Sequence, residues 1–145
     1  MKHGLQPGQT AEIEFTVTPQ MFARFDGVTV HELLSTSELA HQMEWAARKT
    51  ILNYLEPHEE GMGAHVDLHH LMMTRAGTKV KVKATIADIR DNKVECDVEA
   101  TSHRGKVAKG TILQVIVDKT WLTKKIQEME VVEGIIREEQ AIKDR

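Results

Sequence analysis

Three histidines and an aspartate crowd the eight residues GAHVDLHH, 63 to 70, of a chain with one cysteine. Imidazole and carboxylate side chains together suit transition-metal ligation, and a single histidine suits proton transfer. The two uses need different geometries. Read as a strand, the stretch puts His65, Asp67 and His69 on one face and Val66, Leu68 and His70 on the other. Side chains at i and i+4 of a strand stand about 13 Å apart, too far to share one ion without a bulge. A metal-dependent hydrolase built on His65, Asp67 and His69 is therefore a minor alternative, and that face reads as polar and outward. His70 shares its face with two apolar residues and is expected to look toward the core. There it is either a histidine satisfied by a backbone carbonyl or a group that moves a proton.

Two further residues carry possible chemistry. Glu44 shares a helical stripe with Ala40, Ala47 and Ile51 at i−4, i+3 and i+7. A carboxylate among small apolar neighbours is poorly hydrated, which suits a general base. Arg48, four residues on, offers the plainer reading of an exposed Glu44–Arg48 ion pair. Thr36 follows a candidate helix cap, where free backbone N–H groups and the helix dipole favour developing negative charge.

The elements that must hold these groups are legible from periodicity. AEIEFTVTP alternates strictly and stops at Pro19, as a half-buried strand would. Residues 20–34 read as irregular, punctuated by Gly27. Ser35 and Glu38 form a capping-box pattern, and the helix that follows is expected to run to Glu56–Pro57. Its apolar stripe is Leu39, Met43, Ala46, Ala47, Thr50 and Tyr54. Four strands joined by short turns come next, the last of them (VAKGTILQVIVD) apolar enough for a central position. From Thr120 the pattern is helical again, with Trp121, Leu122, Ile126, Met129, Val132 and Ile136 recurring and Gly134 interrupting. Its stripe suggests dimer or core packing. The order implies an α+β domain of the hotdog kind: an antiparallel sheet of about five strands wrapping one long helix, plus a C-terminal helix. One domain is expected over 1–145, its core about 8–118 and a helical extension about 119–145.

Composition narrows the partners. A formal charge of −3 gives no field to attract nucleic acid or an anionic membrane. Cys96 alternates with Val94, Val98 and Ala100, so it reads as a core residue, and no intrachain disulfide is possible. The N-terminus has no apolar leader and no run approaches a membrane span, so a cytoplasmic protein is expected.

LLST, MEWAA, GMGAHVDLHH, MMTRAG and VAKGT occur in an order and spacing that resembles the fluoroacetyl-CoA thioesterase-like family of the hotdog superfamily. The resemblance runs from PGQTAEIEFTVTP to Val117 and is most specific between Thr36 and Gly77. It implies an acyl-CoA thioesterase whose catalytic residues fall on Thr36, Glu44 and His70, with the glycine near the thioester at Gly63. It also implies a homodimer or larger assembly with the site at the subunit interface. No metal or bound cofactor is implied; coenzyme A arrives as part of the substrate. Its phosphates would meet surface cations, among them the KVKVK lysines, Arg75 and Lys106. On one straight helix Thr36 and Glu44 would be about 12 Å and 80° apart, so either the chain bends or two subunits share the site.

Three departures shape the expected substrate. GTILQ, with Ile112 and Gln114, stands where the family often has GTHxR, which places Gln114 by the substrate in the arginine's stead. Met72 and Met73 of MMTR replace an Ala-Ala-Thr-Pro-type loop and give an adaptable apolar wall, suited to an acyl group larger than acetyl. The segment between Val17 and Thr36 is short and lacks an aromatic-rich lid, so fluoroacetyl-CoA is not the expected substrate. The alternative in a different class is a non-catalytic acyl-CoA-binding hotdog protein, which the Gln114 departure favours. A hotdog hydratase would need an Asp/His pairing not seen here.

Overall fold

A computed structural model describes residues 1–145. Its strands are β1 (Thr10–Thr16), β2 (Phe22–Phe25), β3 (Val28–Leu34), β4 (Glu59–His70), β5 (Lys79–Arg90), β6 (Lys93–Ser102) and β7 (Gly105–Asp118). The helices are α1 (Thr36–Ile51) and α2 (Lys119–Lys143). Five strands form one antiparallel sheet in the order β1-β5-β6-β7-β4, and α1 lies across its inner face.

Alternation explains the layers. Val80, Val82, Ala84 and Ile86 of β5 and Val94, Cys96, Val98 and Ala100 of β6 are buried, while Lys79, Lys81 and Lys83 face solvent. From the helix come Leu39, Met43, Ala46, Ala47, Thr50 and Ile51. The small residues Ala46, Ala47, Ala84 and Ala100 in this core leave room for helix and sheet to approach closely. Cys96 belongs to this core; burial pushes its thiol pKa up, so it is inert rather than nucleophilic. Ser35 caps α1, its Oγ accepting the Glu38 N–H at 3.1 Å, a bond worth about 1 kcal/mol.

Four differences from the sequence reading have physical causes. Residues 20–34 are not irregular: after a 3-10 turn at Pro19–Met21, β2 and β3 form a hairpin. Its two-residue loop is Asp26–Gly27, with φ of 52° and 75°, the left-handed pair that a type I′ turn demands. Second, α1 ends at Ile51 and a 3-10 turn takes Leu52–Tyr54, so Ile51 rather than Tyr54 completes the buried stripe. Third, α2 runs through Gly134 without a break and buries none of its residues, which excludes core packing as the role of its stripe. Fourth, β4 is not a plain alternation. Gly63 pairs with Gln114 and His65 with Leu113, leaving Ala64 as an extra, bulged residue.

β4 lies unusually close to β7. A Cβ built on Gly110 would stand 1.8 Å from the Asp67 carbonyl oxygen, so only glycine fits. Gly110→Ala is expected to push β4 off the sheet and to cost about 3 kcal/mol or more, read as a lowered midpoint in urea unfolding. An unchanged midpoint would contradict this close approach.

Candidate active site

The capped start of α1 and the end of β4 bring two of the candidate side chains together. Thr36, the first helical residue, places Oγ1 2.9 Å from His70 Nδ1. The other ring nitrogen, Nε2, is buried and has no hydrogen-bond partner. Burial pushes the His70 pKa below the ordinary histidine value; the Met72 backbone opposes this, and the nearby His31 adds to it. The ring is therefore neutral near pH 7. If the Thr36 hydroxyl donates to Nδ1, Nε2 carries the proton and is a free donor; in the other tautomer Nε2 is a free base. Either way one ring nitrogen is held and the other is available.

Around this pair lies a cavity of about 540 Å³, with Leu33, Leu34, Leu71, Met72 and Met73 as apolar walls and His31 at the polar side. The volume is in the range of pockets that hold drug-sized ligands. Met72 and Met73 both line this cavity. His31 and Leu33 were missed because the hairpin that carries them was read as irregular.

Glu44 lies two turns further along the same helix and opens on a different cavity, of about 220 Å³, with Arg48, Gly61, Gly63 and Gln114. A Cβ on Gly63 would be 3.5 Å from Glu44 Oε2, so the carboxylate lies against bare strand backbone. Gln114 is only 3% exposed and sits beside Gly61, its Oε1 3.1 Å from where a Cβ there would be. The bulge at Ala64 matters here. Straight alternation would turn Gly63 to the outer face with His65, Asp67 and His69; the extra residue returns it to the inner face that carries His70.

The expected Glu44–Arg48 ion pair does not form. Arg48 Nη2 instead donates to Glu60 Oε2 at 2.8 Å, and Nη1 donates to the Gly61 carbonyl at 3.2 Å. The Arg48 hydrogen bond, and after it the Gly61 N–H, hold the Glu60 carboxyl below the usual carboxylate range. On the outer face, His69 Nε2 lies 3.6 Å from Asp67 Oδ1, both well exposed. No three His, Cys, Asp or Glu side chains gather as a metal ion would require, so the His65/Asp67/His69 alternative has no geometry behind it. No helix is long and apolar enough to cross a membrane. Of the cations considered for coenzyme A phosphates, Lys106 pairs with Glu99 and Lys79 with Glu14, while Arg75 is exposed.

One chain thus brings Thr36, His70, Met72 and Met73 together, and separately Glu44, Gly63 and Gln114. Because α1 is continuous from Thr36 to Ile51, the route through a bent chain is closed.

An antiparallel sheet wrapped on one long helix is the hotdog arrangement, here in its thioesterase class. The chain belongs to the fluoroacetyl-CoA-specific thioesterase family, whose model matches residues 17–120. It is 24% identical over 123 residues to the fluoroacetyl-CoA thioesterase of Streptantibioticus cattleyicolor, a match covering 81% of this chain and 88% of that protein. A hypothetical protein of the thioesterase superfamily from Thermus thermophilus has a similar structure, with a TM-score of 0.88 and 32% identity, covering 92% of this chain and 98% of its own. A hot-dog-like protein from Thermanaerovibrio acidaminovorans shares the fold at a TM-score of 0.79 and 22% identity, over 85% of this chain and 91% of its own. The fluoroacetyl-CoA thioesterase itself has been solved as a mutant with acetyl-CoA and as another with fluoroacetate and CoA.

Proposed function

We propose that this protein hydrolyses acyl-CoA thioesters at a site shared by two copies of the chain. The observation that carries the reading is the Thr36–His70 hydrogen bond, which leaves a buried, unpartnered Nε2 beside an apolar cavity. Glu44 takes a proton from the attacking water, or attacks the carbonyl carbon itself. Nε2–H of His70 donates to the carbonyl oxygen as it gains charge, and the Thr36 hydroxyl fixes that tautomer through Nδ1. Backbone N–H groups near Gly63 or the start of α1 add to this stabilisation. The carbon–sulfur bond then breaks, and the thiolate leaves with little help because thiol pKa values are near about 8.5. The products are a free acid and coenzyme A, and the scheme calls on no metal or further cofactor. Gln114 contributes a neutral amide near the substrate.

The dimer rests on two features. β4 is a twelve-residue edge strand paired on one side only, and Trp45, Met62 and Val66 are exposed apolar residues near that edge. An isologous contact along this edge would cover them and let Glu44 of one copy approach the Thr36–His70 pair of the other. The apolar cavity walls favour an acyl group larger than acetyl. A cytoplasmic setting suits such a substrate and a lone, reduced cysteine.

Mixed dimers test the arrangement. Glu44→Gln and His70→Ala should each be inactive, whereas equal amounts dissociated and reassembled together should recover about a quarter of wild-type turnover. Half of such dimers are mixed, and each mixed dimer keeps one intact site of two. No recovery in verified mixed dimers would place the whole site within one chain. Wild-type protein that binds a series of acyl-CoAs of increasing chain length without releasing coenzyme A would instead be the non-catalytic binder that Gln114 favours.

A further inference from the structure

Arg48 follows Glu44 by four residues and lines the same cavity. With the glutamate N-terminal to the arginine, this is the favourable order for a helical ion pair. Yet Glu44 makes no salt bridge within the chain, because the guanidinium turns to β4. Its two bonds, to Glu60 Oε2 and to the Gly61 carbonyl, are closed into a ring by the Gly61 N–H, which donates to the same Glu60 oxygen at 2.8 Å. Arg48 and Glu60 side chains are 30% and 34% exposed, so solvent screens their pair only in part.

The charged and titratable groups around Glu44 are few. From α1 come His41 and Arg48; from β4 comes Glu60, which Lys119 at the start of α2 also attracts; β7 offers only the neutral Gln114. Arg48 is therefore the cation best placed to occupy Glu44, and Glu60 is what occupies Arg48. A carboxylate bonded to a guanidinium has its lone pairs engaged and its anionic form favoured, so it is a poorer proton acceptor.

We infer that Glu60 is a positioning residue: by holding Arg48 against β4 it keeps Glu44 unpaired and free to act on water. This rests on the reading of Glu44 as the general base. Glu60→Gln preserves shape and the acceptor for the Gly61 N–H but releases Arg48. The expected result is a kcat about tenfold lower with little change in KM. Adding Arg48→Met to Glu60→Gln should restore most of the rate, and Arg48→Met alone should lose less than Glu60→Gln alone. A merely structural ion pair would predict equal losses for the two single variants, a change in KM as large as that in kcat, and no rescue. An absent rescue, in variants whose melting temperature shows them folded, overturns the inference. Glu44→Gln measured alongside separates the two ideas. If it retains turnover, the base assignment fails and the Glu60 role with it; if it is inactive, the Glu60 result stands or falls alone.

Discussion

Glu44→Gln should abolish nearly all turnover, lowering kcat by about 10²–10⁴ while leaving the fold and acyl-CoA binding intact. The size follows from what the substitution removes. Glutamine keeps the length and planar end of the side chain, so contact with Gly63 and the wall of the small cavity persist. It cannot take a proton from water or serve as a nucleophile. Because Glu44 packs beside the sheet without an internal ion pair, neutralising it orphans no buried partner, and stability should change by less than about 1 kcal/mol. The measurement is release of coenzyme A on the best substrate of an acyl-CoA series, together with thermal unfolding. A folded Glu44→Gln protein with wild-type kcat/KM would remove Glu44 from the chemistry.

His70→Ala is expected to cost about 10²-fold or more in kcat, and its pH dependence carries the sign of the His70 shift. The folded imidazole has a pKa below its unfolded value, which is about 6.5. Above that value both states hold the ring neutral, and the full contribution to stability is present. As pH falls, the unfolded chain takes the proton first, so stability declines through the window and is lost as pH passes the folded value. Activity that needs neutral His70 declines over the same acid range. Removing the ring should therefore flatten the acid-side fall in melting temperature as well as the rate. A variant with the wild-type slope would mean that the decline belongs to another group. Thr36 tests the same bond from its other end, since its hydroxyl is the only partner His70 has among side chains.

How much of this was legible in the sequence depended on the range of the interaction. The capping box at Ser35 and Glu38 and the alternation of β5 and β6 are local signals, and they specify α1 and the sheet interior directly. The β2–β3 hairpin was missed although Asp26–Gly27, the strongest short hairpin signal, was present; FARF and VTVHELL lack the clean alternation that would have framed it. Thr36 and His70 are 34 residues apart, and only their family spacing suggested that they meet. Arg48 was misread for the same reason in reverse. Its local partner, Glu44, was visible, and the distant Glu60 that holds it was not. The bulge had no signal at all, because Ala64 is as ordinary a strand residue as its neighbours.

That extra residue makes β4 two half-strands with independent phase. Upstream of Ala64 the inner face is set by Gly61 and Gly63, downstream by Val66, Leu68 and His70. Without Ala64 the pairing would run in plain alternation, and Gly63 and His70, then six residues apart, would still share the inner face. The consequence reaches any comparison of relatives made by counting residues between the glycine and the histidine: seven with the bulge and six without it place the two groups on the same face. Seven residues, which ordinary pleating would assign to opposite faces, serve both cavities from one edge strand only because the bulge takes up one of them.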